Sequence, residues 1–211
     1  KAVIDAQPEA IYHLAALAHV GESWANPERT FDVNAVGTLR LLEAARQVES
    51  HPKVLLIGSA EVYGPVTPED MPLREDHVLK PVTPYAVSKV AAEFLGIQYT
   101  YGFKVPVVLA RSFNHIGPGQ GGKFLVADVA SRIAKSLRSG SVEPIKIGNL
   151  SARRDFTDVR DAVKAYRLLM TYGEAGEAYK VCAGVDRSVP ETVVRLTAID
   201  ASFLHQEGPE S

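Results

Sequence analysis

The chain has 211 residues, 46% hydrophobic and 23% charged, which is ordinary globular composition and enough for one substantial core. A formal net charge of -2 with no basic block points away from a nucleic-acid surface, and no apolar run is long enough to span a bilayer. The single cysteine, Cys182, excludes an internal disulfide and suits a reducing compartment, so a cytoplasmic location is expected.

Ala10 to Ala16 reads as a buried strand running into small residues. Small side chains at a strand end let a ligand approach the backbone, although ordinary close packing explains them equally well. Asn26-Pro27-Glu28 is a strong helix start, and that helix is expected to run to about Glu49. Its apolar stripe includes Phe31, Val33, Val36, Leu39, Leu41, Leu42 and Ala45, wider than one sheet contact needs. A second buried face such as a subunit interface follows. Asn34 and Gly37 are unusual in a helix interior. By itself Asn34 reads as a solvated or packed polar residue rather than a ligand.

Val54 to Ile57 is a short apolar strand of the parallel-sheet kind. It ends in Gly58-Ser59-Ala60-Glu61-Val62-Tyr63-Gly64, outside a strand's carboxyl end, where ligands gather in open α/β sheets. Ser59 and Glu61 therefore stand where chemistry would be; the plain alternatives are a turn hydroxyl and a solvated acid. Residues 65–83 read as a long loop. Thr83 caps and Pro84 opens a helix to about Tyr101, with Tyr85 in its first turn and Lys89 on the same face. A phenol titrates near ~10. An ammonium about 4 Å away, at an effective dielectric of ~20, is worth roughly 4 kcal/mol to the phenolate. That predicts a tyrosine lowered by up to about 3 units, an acid/base poised for neutral pH. Taken alone, the pair is also what a surface helix carries by chance.

Val105 to Leu109 is the next strand, followed by a polar, glycine-rich loop holding Phe113 and Asn114. Lys123 to Ser139 has helical periodicity and Gly140 stops it. Pro144 to Ile147 reads as a short strand. Ser151 to Val159 reads as a loop in which Arg153 and Arg154 form an anion clamp, or else a solvated pair matched by Asp155 and Asp158. Val159 to Tyr172 is a helix, Ala178 to Cys182 a strand, and a last helix starts at Ser188 and ends in a polar tail.

This alternation predicts a doubly wound α/β domain. Such a sheet should begin with a strand, a glycine-rich turn and a helix that holds a pyrophosphate. No glycine fingerprint occurs near Lys1, so the sequence reads as starting part-way through the fold. The six histidines lack zinc-ligand spacing and one cysteine cannot complete a site, so no metal is expected. The Gly-x-Ser-x-Gly elbow of a serine hydrolase is absent.

Several motifs, in order, resemble one family. His13-Leu14-Ala15-Ala16, Asn34-Ala35-Val36-Gly37-Thr38, Gly58 to Gly64, Tyr85 with Lys89, and Arg154-Asp155-Phe156 are similar to the extended short-chain dehydrogenase/reductases that act on nucleotide sugars. The likeness runs from Tyr12 to about Gly184. Ser112 to Gln120 and Gly148 to Asp155 look most like GDP-sugar enzymes, first the GDP-4-dehydro-6-deoxy-mannose reductases, then the GDP-mannose 4,6-dehydratases.

The resemblance implies a Rossmann-like doubly wound parallel sheet over 1–118 and 151–185, lacking its first strand-turn-helix. It also implies a small α/β nucleotide-sugar domain over 119–150 and 186–211. It implies NADP or NAD as cofactor, lined by Leu14, Ala15, Ala16, Asn34, Phe113, Tyr85 and Lys89. Ser59, Tyr85 and Lys89 would be catalytic, with Glu61 beside them. A GDP-sugar would meet Ser59, Asn114, Phe124, Val126 and Arg154. A homodimer through the helices near 27–48 and 84–101 is implied as well.

Where glucose dehydratases of the dTDP type place an acid, this chain has Ala60, and that favours simple reduction of a C4 ketone. Glu61, able to remove a proton α to a ketone, keeps dehydration as the alternative. A non-catalytic nucleotide-sugar-binding remnant is the alternative of another class.

Overall fold

The computed structural model describes residues 1–140, 145, 147 and 149–204. Its chain groups into two compact units, Lys1–Phe113 with Arg160–Val181, and Asn114–Val159 with Cys182–Ser211. Residues 151–159, expected with the first region, group with the second because their strand pairs there. The expected strand over 144–147 lies largely outside the described residues, as does the polar tail beyond Leu204.

The first unit is built on four parallel strands, β1 (Ala10–His13), β2 (Lys53–Ile57), β3 (Val107–Ser112) and β6 (Ala178–Val181), in the order β1-β2-β3-β6. Two short helices, α1 (Ala2–Ala6) and α2 (Val20–Ala25), flank β1 in the chain. A longer helical run follows as α3 (Pro27–Phe31), a π-helical turn (Asp32–Val36) and α4 (Gly37–Arg46). It ends three residues before the expected Glu49, and the π turn falls where Asn34 and Gly37 interrupt the helix-forming pattern. α5 (Pro84–Phe103) precedes β3, and α7 (Val159–Tyr172) precedes β6.

Period-two alternation along β2 and β3 sends neighbouring residues to opposite faces. Val54, Leu56, Val107 and Leu109 pack on Leu42 and Ala45 of α4 and on Ala92 and Tyr99 of α5. Leu55, Val108 and Ala110 pack on Ala162 and Tyr166 of α7. Helices thus cover both faces, as the near-continuous apolar strands require.

α5 forms where the sequence marks it. The Thr83 hydroxyl accepts the Ala86 N–H at 3.0 Å, Pro84 opens the first turn, and Lys104 ends it in a left-handed conformation. Its buried positions, Tyr85, Ala86, Ser88, Lys89, Ala92, Glu93, Gly96 and Tyr99, recur at helical spacing. At Gly96 a Cβ would come within 2.9 Å of the Leu109 side chain, so the helix lies directly on the sheet. One charge pair locks the helix to β3. The Arg111 guanidinium grips both Glu93 carboxylate oxygens at 3.0 and 2.6 Å, with Glu93 2% and Arg111 6% exposed. Losing either partner of such a buried pair costs about 3–5 kcal/mol. Arg111 also donates to the Tyr63 hydroxyl and the Glu75 carbonyl, anchoring the segment after β2.

The second unit holds a three-stranded sheet, β4 (Asn114–Ile116), β5 (Arg153–Asp158) and β7 (Asp186–Ser188), in the order β4-β5-β7. β4 runs parallel and β7 antiparallel to β5. The helices of this unit are α6 (Leu125–Ser139) and α8 (Val189–Leu204). Residues 151–159 read as a loop in sequence because their charged run hides any alternation. Lateral pairing on both sides makes Arg153–Asp158 a strand. Among the described residues no helix is long and apolar enough to cross a membrane.

Candidate active site

β2 delivers Gly58-Ser59 to its carboxyl end, where the chain turns into a 3-10 helix over Ala60–Tyr63. The Ser59 Oγ caps that turn by accepting the Glu61 N–H at 3.2 Å. Gly64, at φ 70, closes it; a Cβ there would lie 1.9 Å from the Lys80 carbonyl oxygen. The Val62, Tyr63 and Leu73 side chains pack beneath, with Phe113 against them.

α5 brings Tyr85 and Lys89 to the same strand end. Tyr85 is hydrogen-bonded to the Ser59 side chain and feels the Glu61 charge. Lys89 Nζ donates to the Ile57 carbonyl at 2.8 Å, the last residue of β2, and lies 5.9 Å from the Tyr85 ring centroid. Ser59, Glu61, Tyr85 and Lys89, separate in sequence, therefore form one cluster.

Their titration differs from the sequence-based expectation. Burial pushes the Tyr85 phenol above its usual value, the Ser59 hydrogen bond draws it down, and Glu61 pushes it up again. The Lys89 ammonium takes the strand carbonyl of Ile57, and not the phenol oxygen, as its hydrogen-bond acceptor. Tyr85 is thus a protonated phenol at neutral pH, the form that donates a proton. Burial lowers Lys89 to about 8, leaving it charged at neutral pH.

Asn34, on the π turn, is buried and fully engaged. Its Oδ1 accepts the Leu17 N–H at 2.8 Å; its Nδ2 donates to the Leu17 carbonyl at 3.1 Å and the Ser88 Oγ at 2.9 Å. Ser88 in turn donates to the Tyr85 carbonyl at 2.7 Å. Asn34 therefore ties the loop after β1 to the first turn of α5. π turns recur at functional sites, and this one carries the residue that spans the gap. Thr38 extends the chain. Its hydroxyl donates to the Asn34 carbonyl at 2.6 Å and meets His13 Nε2 at 2.9 Å. With that hydroxyl hydrogen engaged, His13 must be the donor. Burial, then the Lys89 charge, keeps the His13 pKa low. Ser88, Thr38 and His13 were not singled out as individual site residues, although each lies within a motif quoted above.

Leu14 and Ala15 are exposed and Ala16 half-buried after β1, so their backbone is open to a ligand. An open groove of about 510 Å³ runs beside them along α1 and α4, lined by His13, Ala15, Val33, Gly37 and Leu41 among others; Ser59, Tyr85 and Lys89 do not line it.

The remaining candidates belong to the second unit. Asn114 is exposed on β4 and its Nδ2 donates to the Asp155 carbonyl at 3.3 Å. Phe124 precedes α6 and Val126 lies in its first turn. Arg154 is exposed on β5, its Nη1 donating to the Arg153 carbonyl at 2.8 Å. Arg153 is paired with Asp186, so the two neighbouring arginines do not act as one clamp. The Asp155 carboxylate accepts the N–H groups of Ala183, Gly184 and Val185 at 2.9, 2.7 and 3.1 Å, fixing the loop before β7.

The chain is similar to several known proteins. The chain is 40% identical over 194 residues to the GDP-6-deoxy-D-mannose reductase of Pseudomonas aeruginosa, covering 91% of this chain and 63% of that protein. It is 31% identical over 207 residues to human GDP-mannose 4,6 dehydratase, covering 97% of this chain and 53% of that protein. The structure of RMD from Pseudomonas aeruginosa complexed with NADPH superposes with a TM-score of 0.89 at 38% identity, over 92% of this chain and 66% of that one. The chain thus spans between about half and two thirds of the length of these relatives. The family described as GDP-mannose 4,6 dehydratase matches residues 1–207, and with its strand-end Ser59, Tyr85 and Lys89 the chain belongs to that family, within the extended short-chain dehydrogenase/reductases.

Proposed function

We propose that the protein reduces the C4 ketone of a GDP-4-keto-6-deoxyhexose at the expense of NADPH or NADH. The observation that carries this reading is the buried Tyr85 phenol, held protonated and bonded to Ser59, with a charged Lys89 one turn on. Reduction leaves an alkoxide that needs a proton. A phenol with a raised pKa is in the right form to give it.

The nicotinamide cofactor, when bound, supplies the hydride. The chain offers groups that suit it. Lys89 Nζ has three donors and, among the described residues, one acceptor, Ile57. The other two fit the hydroxyls of a ribose. The open backbone of Leu14, Ala15 and Ala16 and the ring of Phe113 complete the lining, and Asn34 acts by holding Leu17 and Ser88. Ser59 donates to the ketone oxygen as its charge develops. Tyr85 then passes its proton to that oxygen. In the second unit Arg154 pairs with the diphosphate, Asn114 orients the nucleotide sugar, and Phe124 and Val126 contact the base or its phosphates.

Supporting the choice of substrate is the 40% identity to a GDP-6-deoxy-D-mannose reductase. One observation favours dehydration as a second reading: Glu61 stands close enough to Tyr85 to act on it electrostatically. Two incubations separate them. With GDP-4-keto-6-deoxymannose and NADPH, a deoxyhexose product is expected. With GDP-mannose and no reduced cofactor, no change is expected; a 4-keto product there would establish the dehydratase instead.

The same reading includes a homodimer through α3, α4 and α5. Phe94 and Tyr101 of α5 are 56% and 62% exposed, and Phe31 and Leu39 add apolar surface on the neighbouring helices. Light scattering should give twice the chain mass; the mass of one chain would refute the dimer.

A further inference from the structure

The sheet β4-β5-β7 sorts its charges by face. Directly opposite residues share a face, and successive residues along a strand alternate. One face carries Arg153 and Asp155 of β5 with Ser188 and Asp186 of β7. There the charges are matched. Arg153 pairs with Asp186 and lies 3.8 Å from Glu191, while Asp155 holds three backbone N–H groups. The other face carries Arg154, directly opposite Arg187, with Phe156 two residues along and Asn114 beside it in register.

Arg154 and Arg187 are therefore a cross-strand pair of like charges, an arrangement that destabilises a sheet. Among the described residues neither guanidinium makes an ion pair with a carboxylate. Glu191, which feels Arg187, is already held by the Ser188 N–H at 2.7 Å and by the nearer charge of Arg153. Arg154 is exposed and Arg187 half-buried, so both can reach a ligand.

We propose that Arg187 is the second guanidinium of the anion site, acting with Arg154 on the two phosphates of the nucleotide sugar, and that Arg153 is not part of it. This rests on the nucleotide-sugar reading above. Cross-strand Cβ atoms stand about 5 Å apart, and each guanidinium can grip a phosphate through two parallel hydrogen bonds. Two adjacent phosphates match two adjacent guanidiniums. Bound ligand relieves the repulsion that the empty pair imposes, and Asn114 on the same face is placed to orient what the phosphates carry.

Calorimetric titration of the full chain with GDP and with guanosine tests this. Arg187→Gln and Arg154→Gln should each weaken GDP binding by about tenfold or more. Guanosine binding, which has no phosphate to lose, should stay the same. Arg153→Gln should leave GDP within about threefold on the scale of exposed ion pairs, and Arg187→Lys should recover part of the loss. Unchanged GDP binding in Arg187→Gln, with a loss in Arg154→Gln, would overturn the role of Arg187 alone. Equal weakening of guanosine and GDP would overturn it as well, by showing a structural effect. Wild-type protein that fails to bind GDP would overturn the nucleotide-sugar reading itself.

Discussion

Tyr85→Phe should lower the turnover of ketone reduction by about 10²–10⁴-fold, the usual contribution of a positioned acid. GDP affinity should stay within a factor of two, on the order of a few tenths of a kcal/mol. The separation follows from the placement of the groups. The phenol's hydrogen-bond partner is Ser59, and the residues assigned to the nucleotide lie in the other unit. The ring itself is 7% exposed and remains in place when the hydroxyl goes. The variant should therefore still fold, losing about 1 kcal/mol with the Ser59 hydrogen bond, and steady-state kinetics with a parallel GDP titration reads both effects. Undiminished turnover would remove Tyr85 from the chemistry.

Lys89→Met is expected to do two opposite things: stabilise the protein measured without cofactor, and abolish at least a hundredfold of its turnover. The stability effect comes from burial. Lys89 is 7% exposed and its pKa falls from 10.5 to about 8. That depression corresponds to roughly 3 kcal/mol of cost for holding the charge in the fold. Methionine fills a similar volume with no charge. It forfeits the charge-assisted bond to the Ile57 carbonyl, worth about 1.5–3 kcal/mol, so the net gain is at most about 1.5 kcal/mol. The sign with pH is fixed. The unfolded chain holds the Lys89 proton up to a higher pH than the fold does, so wild-type stability rises as pH climbs from about 8 towards 10.5. The advantage of Lys89→Met is full below about 8 and fades over that window. Denaturant unfolding at pH 7 and pH 10 measures it; a destabilised variant at pH 7 would show that the ammonium is better satisfied than the geometry indicates.

The parts of the fold that were legible in sequence are those set by local pattern. The Val159–Tyr172 helix has the same bounds in both because its apolar positions recur at 3.6 residues. α5 was legible from Thr83 and Pro84, and the apolar runs of β2 and β3 mark strands buried on both faces. What escaped depends on partners distant in the chain. β4 and β7 have three residues each and no apolar alternation; only pairing with β5 makes them strands. The π turn was signalled by Asn34 and Gly37 as poor helix formers, but its purpose depends on Leu17 and Ser88.

The same division holds at the site. The spacing of Tyr85 and Lys89 placed them on one face of a helix, as the structure has them. Spacing could not tell that Lys89 would reach for Ile57, nor that burial would leave the phenol protonated. The two adjacent arginines divide in the same way. Adjacent arginines in sequence suggested a clamp, yet strand alternation sends Arg153 to Asp186 and leaves Arg154 facing Arg187.

The most direct test of the reductase reading follows the hydride. NADPH deuterated at the transferring position of the nicotinamide is supplied with GDP-4-keto-6-deoxymannose, and the sugar product is analysed by mass spectrometry. One deuterium at C4 of the deoxyhexose is the result expected, and Tyr85→Phe should suppress its appearance. An unreduced ketone, or a product without deuterium, would contradict it.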